Sequence, residues 1–166
     1  MPRFFLSLAT ALAVVLAAST AQAQPATGGD IELSNVAEME VEAKTADGKV
    51  ERKRVAVQKA VPGAEVIYTS TFRNIGKRPA GNIVVVNPVP ANTTLVGGSA
   101  FGEHTEITFS ADGGKTWAAA DKLKVSGADG KQRPAGVTEI THIRWALRGE
   151  LPAGKQGVVG FRVTVN

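Results

Sequence analysis

One continuous stretch, residues 62–90, has the pattern of two β-strands with turns between and around them: PGAEVIYTSTFRNIGKRPAGNIVVVNPVP. Residues 66–72 alternate with period 2, which predicts a half-buried strand. One face would hold Val66, Tyr68, Ser70 and Phe72, and the other Ile67, Thr69, Thr71 and Arg73. Residues 83–86 are a β-branched run typical of a strand inside a sheet, and residues 74–76 supply the turn between the two. The stretch predicts a β-fold and shows no evident catalytic group.

The first 23 residues have the features of a secretory signal peptide. Arg3 precedes an apolar stretch at residues 4–18, and small residues at 21–23 form a cleavage site. A membrane anchor is the alternative, but the apolar stretch is shorter than the roughly 20 residues that a spanning helix needs. We expect a mature chain that begins at Gln24, has no transmembrane segment, and is periplasmic, extracellular or at the cell surface.

Composition narrows the classes of protein to consider. The chain has no cysteine and a formal net charge of +4, which becomes +3 when Arg3 is removed with the signal peptide. This mild basic excess does not require a polyanionic partner, and together with export it excludes nucleic acid as the expected ligand. Because disulfides are absent, the fold must depend on packing, and a domain of this size buries about 70% of its unfolded surface.

Domain boundaries follow from the composition of the mature chain. Residues 24–30 (QPATGGD) are rich in proline, threonine and glycine, which predicts a flexible leader. The folded part is then expected to be one domain over residues 31–166.

The dipeptide Asp47-Gly48 is a strong signal for a two-residue hairpin turn. Such a turn would place Lys44 opposite Glu51 and Glu42 opposite Lys53. Opposite charges that face each other across strands help to fix the register. We interpret this charged hairpin as a solvated sheet face, with a docking surface as the alternative.

The predicted hairpin register contains one conflict. It would put Val55 and Val57 on the face that carries Glu40 and Glu38. A bulge near Arg54 would resolve the conflict, because an extra residue moves the following side chains to the other face.

Further strand signals occur along the rest of the chain, at residues 94–96, 106–110, 123–125, 138–147 and 157–165. No segment has helical periodicity. Short strands separated by glycine, proline, asparagine and aspartate predict an all-β antiparallel sandwich, with an immunoglobulin-like Greek key as the leading topology. A closed barrel is the alternative. Alternation in the fourth of these segments places Trp145 in the core.

Several short motifs are similar to those of one protein family. They are Pro62-Gly63 before Tyr68-Thr69, then Asn74 and Gly76, and a valine-rich strand that ends in Asn87-Pro88-Val89-Pro90. Over residues 57–166 the chain resembles the conserved-repeat domain of unknown function, number eleven, of bacterial and archaeal envelope and surface proteins. The resemblance implies an immunoglobulin-like β-sandwich module in an exported protein, without assigned catalytic residues.

Two positions depart from the family pattern. Members commonly carry an aspartate after the first Pro-Gly and another just before the final proline pair, where this chain has Ala64 and Asn87. The departures remove the carboxylates that could hold a cation between turns. The single copy also implies a soluble partner or a small envelope component, since one domain cannot form a long stalk.

The segment at residues 110–117, SADGGKTW, resembles the Asp-box hairpin of sialidases and other propellers. Asp112 is expected to accept backbone hydrogen bonds within the turn, and Trp117 to cover the base of the hairpin. We interpret the motif as a stabilising turn, with carbohydrate contact at Trp117 as the alternative.

No residues form a recognisable catalytic or metal-binding motif. His104, between Glu103 and Glu106, could join a cation site, and His142 is expected at the sheet surface. Ser99 follows two glycines but lacks a nucleophile elbow. We therefore predict no catalytic, cofactor-binding or metal-binding residues, and no cofactor. Carboxylates at Glu38, Glu40 and Glu42 are explained by solvation of a strand face.

Two surface features bear on possible partners. The basic run at residues 52–54 could meet anionic polymers or lipid headgroups, although three charges flanked by acids contribute little when screened. Residues 92–94 have the form of a glycosylation sequon.

The sequence thus predicts a non-enzymatic, exported β-sandwich that acts through contacts with an envelope or surface protein. Its edge strands are the expected contact surfaces, because unpaired backbone groups can accept a partner strand. The alternative is a periplasmic protein that binds a small ligand, either a cation or a glycan.

Overall fold

The computed structural model describes residues 30–45 and 47–166. The expected signal peptide and all of the expected leader except Asp30 lie outside the described residues. Within them the chain is all-β with antiparallel sheets, as in a β-sandwich, which confirms the predicted fold class at that level. No helix in the described part of the chain is long and apolar enough to cross a membrane.

Thirteen strands and one short 3-10 helix make up the described regular structure. The first seven strands are β1 (Ile31–Lys44), β2 (Val50–Ala56), β3 (Glu65–Asn74), β4 (Ala80–Gly81), β5 (Val84–Pro88), β6 (Thr93–Leu95) and β7 (Phe101–Gly102). The other six are β8 (Thr105–Ser110), β9 (Lys124–Ser126), β10 (Gln132–Pro134), β11 (His142–Leu147), β12 (Glu150–Leu151) and β13 (Gln156–Val165). The 3-10 helix, Val137–Glu139, occupies the start of the predicted strand at 138–147.

Two antiparallel sheets form the body of the fold. The larger has the strand order β2-β1-β3-β13-β6, with β7 also paired to β13, and the smaller has the order β5-β11-β8. Two further sheets have two strands each, β9 with β10 and β4 with β12. Neighbours that are distant in the sequence, such as β3 and β13, bring the two ends of the domain together.

Side chains from both sheets meet in one core. Trp145 of β11 is 1% exposed, and its ring centroid lies 6.1 Å from that of Phe161 on β13. Phe161 in turn stacks on Tyr68 of β3 at 5.4 Å. The predicted core position of Trp145 is therefore confirmed, and in β3 Val66 and Phe72 of one predicted face also point into the core, while Ile67 of the other face is buried as well, at 1%.

The hairpin of β1 and β2 forms as predicted, but its register is shifted by one residue. Glu42 faces Arg52 and Lys44 faces Val50, so the predicted Lys44–Glu51 and Glu42–Lys53 pairs are wrong. The loop spans residues 45–49 and is closed by hydrogen bonds from Thr45 N to Lys49 O and from Gly48 N to Thr45 O. A longer loop, rather than a bulge, brings Val55 opposite Met39.

Candidate functional site

The strand β5 lies at the edge of the smaller sheet and pairs with β11 alone in the described structure. Hydrogen bonds from Leu147 N to Ile83 O and from Val89 N to Thr141 O bracket the strand. Because hydrogen-bonded and non-bonded pairs alternate in an antiparallel ladder, Val84 and Val86 direct their N–H and C=O groups away from β11. These groups form a free backbone edge.

The side chains of this edge are apolar. Val84 is 46% exposed and Val86 is 44% exposed, whereas Val85 between them is buried at 5%. Asn82, with a φ of 56°, ends the extended conformation on one side. Pro88, which has no N–H to donate, closes it on the other. The result is a short, uncharged edge of the kind that can accept one added strand.

Hollows between β1 and β5 adjoin this edge. One, of about 290 Å³, lies between Leu33 on β1 and Val84 and Val85 on β5. Another, of about 150 Å³, is lined by Asn35, Tyr68 and Asn87 among others. Leu33 is 50% exposed although it lies on the core side of β1. The sandwich is thus open between its sheets beside the free edge of β5.

Asn87 takes part in a hydrogen-bond chain within this opening. Its Nδ2 donates to Ser70 Oγ at 2.8 Å, and Ser70 Oγ donates to Asn35 Oδ1 at 2.5 Å. An ionised aspartate at position 87 could not donate to Ser70, so the departure from the family pattern suits this network.

Ala64 lies six residues from Ser70 along the chain, about 20 Å in extended conformation. The two departing positions therefore do not share a site.

The edge strand β2 of the larger sheet is charged. All of its residues are exposed, and they include the basic run at residues 52–54. Glu40 Oε1 lies 3.0 Å from Arg162 Nη2 and 3.7 Å from Arg54 Nε. The hydrogen bond from Arg162 lowers the pKa of Glu40, and the charge of Arg54 acts in the same direction. Glu40 thus partly neutralises the positive charge of Arg54, one of the three basic residues of this run.

The Asp-box-like segment forms a stabilising turn, as predicted. Asp112 Oδ1 accepts hydrogen bonds from the N–H groups of Lys115 at 3.0 Å and Thr116 at 2.9 Å. Thr116 Oγ1 donates to Asp112 Oδ2 at 2.7 Å. These hydrogen bonds hold the pKa of Asp112 well below its usual range, and those from Thr116 contribute most. Trp117 lies beneath Arg144, whose guanidinium is 5.9 Å from the ring centroid.

The other residues considered for chemistry do not converge. His104 follows β7 with a φ of 54°, while His142 lies in β11 with Nδ1 3.1 Å from Thr141 Oγ1. The described residues contain no group of three histidine, cysteine, aspartate or glutamate side chains suited to a metal ion. Ser99 Oγ donates to Arg162 O and accepts from Arg162 N, which gives this serine a structural role.

Sequence reasoning missed two features of the surface. It predicted an apolar strand at residues 83–86 but not that this strand is an edge, because edge position depends on long-range pairing. It also assigned no role to Phe101, which is 39% exposed and lies opposite Gly160. No signal within either segment identifies these positions, since each depends on strands far away in the sequence.

The fold and the surface together define an all-β protein with a free apolar strand edge. Comparison with models of known protein families gave no match, and searches for similar curated proteins and solved structures gave none either.

Proposed function

We propose that the protein is a non-enzymatic, exported module that acts through protein contacts in the cell envelope or at the cell surface. The observation that carries the proposal is the free edge of β5, where two exposed valines and their unpaired backbone groups lie side by side. A partner contributes an extended segment that adds to this edge as a further strand. Backbone hydrogen bonds supply affinity, and the valines select apolar side chains.

The proposal includes one domain with an immunoglobulin-like Greek-key topology and membership of the conserved-repeat family. The described chain passes repeatedly between the sheets, with β1 to β3 in the larger, β5 in the smaller, β6 and β7 in the larger, β8 and β11 in the smaller, and β13 in the larger. This arrangement supports a Greek key. The signal-peptide features of the first 23 residues support export.

The hollows beside β5 indicate which side chains the partner's added segment should carry. Leu33, which is 50% exposed on the core side of β1, extends the apolar surface from β5 to β1. A strand on the β5 edge can place alternate side chains over Leu33 and over Val86, because successive side chains point to opposite sides. We therefore expect a partner segment with apolar residues in succession rather than an alternating polar pattern.

Site-specific photocrosslinking in the native host tests the proposal. A benzoylphenylalanine at position 86 is expected to capture one discrete envelope or surface protein. The same group at position 50, on the exposed β2 edge, serves as the matched control because Val50 is 56% exposed.

Strand addition is distinguished from simple proximity by a backbone variant. Val84→Pro removes one free N–H that the sheet itself does not use, so it is expected to abolish the crosslink at position 86 while the fold remains intact. Val84→Thr keeps the N–H and the β-branched shape, and should retain the crosslink. Absence of an adduct at position 86, or an adduct that survives Val84→Pro, would contradict the proposal.

A further inference from the structure

A second surface, whose lining residues are separate from those of the β5 edge, has the form of a ligand site. A groove of about 860 Å³ lies between the loop after β7, the end of β11 and the start of β13. Its volume is within the usual range for small-molecule sites, which combine an apolar floor with a few polar groups. The sheet face supplies the floor of this groove, and loops together with the ends of β12 and β13 supply its rim.

Phe101 and Val158 form the apolar floor. Phe101 pairs with Gly160 across the strands, and a Cβ atom at Gly160 would lie 2.5 Å from the phenylalanine ring. The ring therefore rests directly on the glycine backbone, which fixes one face and leaves the side chain 39% exposed. Val158, also 39% exposed, lies two residues before Gly160 on the same side of β13. Together they present a flat apolar surface.

The rim carries long polar side chains that are free to bind. Glu103, Arg148, Glu150 and Gln156 all line the groove and are exposed. Among the described residues, none of their side chains makes an ion pair or a hydrogen bond to another protein group. His104 also lines the groove, and its carbonyl accepts a hydrogen bond from Arg148 N at 2.7 Å. This bond holds the two loops together.

The charges of the rim decide the class of ligand. Two carboxylates and one guanidinium give a formal charge of −1, so a phosphate or sulfate polymer meets net repulsion. A cation is also disfavoured, because the described residues hold no cluster of three suitable ligands. An uncharged ligand with an apolar face and many hydroxyl groups matches the floor and the rim together.

We propose that this groove binds a neutral oligosaccharide, with the apolar face of one sugar ring stacked on Phe101. Hydroxyl groups of the same and the adjoining sugar hydrogen-bond to Glu103, Glu150 and Gln156, and Arg148 donates to ring or hydroxyl oxygens. The site is independent of strand addition at β5, so the protein can hold a glycan on one surface and a protein partner on another.

Titration of the ¹⁵N-labelled full-chain protein with neutral oligosaccharides tests the proposal. The probes are cellotetraose, maltotetraose and chitotetraose, with heparin tetrasaccharide as the anionic comparison. At least one neutral probe is expected to shift the amide signals of Gly102, Gly157 and Val158, while the heparin probe leaves them unchanged. No shift with any neutral probe up to 10 mM, roughly the weak end of specific binding, would overturn the proposal.

Variants locate the binding and control for folding. Phe101→Ala is expected to weaken binding at least tenfold, and Phe101→Tyr to retain it, because a tyrosine ring keeps the stacking surface. Trp117→Ala removes an aromatic side chain that does not line the groove, in the segment after β8, and should leave the affinity unchanged. Glu103→Gln provides a second variant that leaves the floor intact and is expected to weaken binding. Loss of binding in Trp117→Ala but not in Phe101→Ala would overturn the assignment.

Discussion

Asn74, at the end of β3, provides a test of how one buried amide supports the surrounding loops. Its side chain is 0% exposed. Nδ2 donates to the carbonyl oxygens of Arg78 and Leu151, both at 2.8 Å, and Oδ1 accepts from Gly76 N at 2.9 Å. The bond to Leu151 joins segments 77 residues apart. Asn74 thus connects the turn after β3 to the turn before β13.

The free energy of unfolding lost on removing this amide depends on the backbone groups that are left without a hydrogen-bond partner. Asn74→Ala deprives three backbone groups of their partners, and a buried unsatisfied group costs about 1–3 kcal/mol. The Leu151 bond is buried and the other two are partly buried, so water can compensate at those two. We therefore expect the free energy of unfolding to fall by about 3–4 kcal/mol.

Asn74→Asp adds a pH dependence that alanine lacks. The introduced carboxylate can accept from Gly76 but cannot donate to the carbonyls of Arg78 and Leu151, and its burial raises its pKa in the folded state. A raised folded-state pKa favours the protonated form on folding. Stability relative to the wild type is therefore greatest below about pH 4 and falls as pH rises, by about 1.4 kcal/mol per pH unit up to the folded-state pKa.

Urea denaturation followed by tryptophan fluorescence, repeated between pH 3.5 and 7.5, measures both effects. Asn82→Asp is the matched control, because Asn82 is exposed in a turn and its replacement should give a difference from the wild type that varies little with pH. If Asn74→Asp follows the control at every pH, or Asn74→Ala costs less than about 1 kcal/mol, the assigned role is wrong.

Three further perturbations test the core, the Asp-box-like turn and a close backbone approach. Trp145→Ala should cost about 3–5 kcal/mol in chemical denaturation because it empties the centre of the core, and a normal unfolding midpoint would show that this residue does not pack as described. For Asp112, a lowered folded-state pKa means that its stabilisation is present above the ordinary value of 3.8 and is lost as pH falls. Asp112→Ala should therefore approach wild-type stability in acid, and a constant difference across pH would refute the assignment. Gly160→Ala places a Cβ atom 2.6 Å from the backbone oxygen of Tyr68 and should destabilise by about 1–3 kcal/mol. Gly136→Ala, with no contact closer than 3.6 Å, is the control and should melt close to the wild type.

Local alternation was sufficient to predict the strand faces and several core residues. One predicted face of β3 holds Val66, Ser70 and Phe72, all at most 3% exposed, although Ile67 of the opposite face is also buried at 1%. In β13, Val159, Phe161 and Val163 are at most 1% exposed. These predictions hold because period-2 patterning reflects burial on one side of a sheet, which each strand encodes by itself.

Asn74 shows where local reasoning is insufficient. Its type and its place beside Gly76 predict a turn residue, and one of its bonds, from Gly76 N, is local. Its most deeply buried bond reaches Leu151, which no local pattern indicates. The predicted hairpin register is wrong for a related reason. One additional loop residue changes every cross-strand pair, and the Asp-Gly signal does not specify the loop length.

The candidate surfaces depend even more on long-range pairing. Residues 83–86 were predicted as an interior strand because they are apolar, and Val85 does point into the core at 5% exposure. Whether a second strand covers the outer side of β5 depends on the order of strands in the sheet. That order is set by contacts among distant segments, so the exposed backbone edge had no local signature.

The β5 and β2 edges differ in how they resist pairing with another copy of the chain. Two β2 strands paired about Lys53 would oppose the two lysines and set Arg52 against Arg54, and like charges directly opposite each other are destabilising. Two β5 strands paired about Val85 would meet no charge. Asn82 and Pro88 confine that pairing to about three residues, far less than the surface of a stable dimer. A partner strand that also covers Leu33 buries more apolar surface than a second copy paired through β5 alone. The β5 edge therefore favours a different protein over self-association, whereas β2 is protected by its charges against pairing with a second copy.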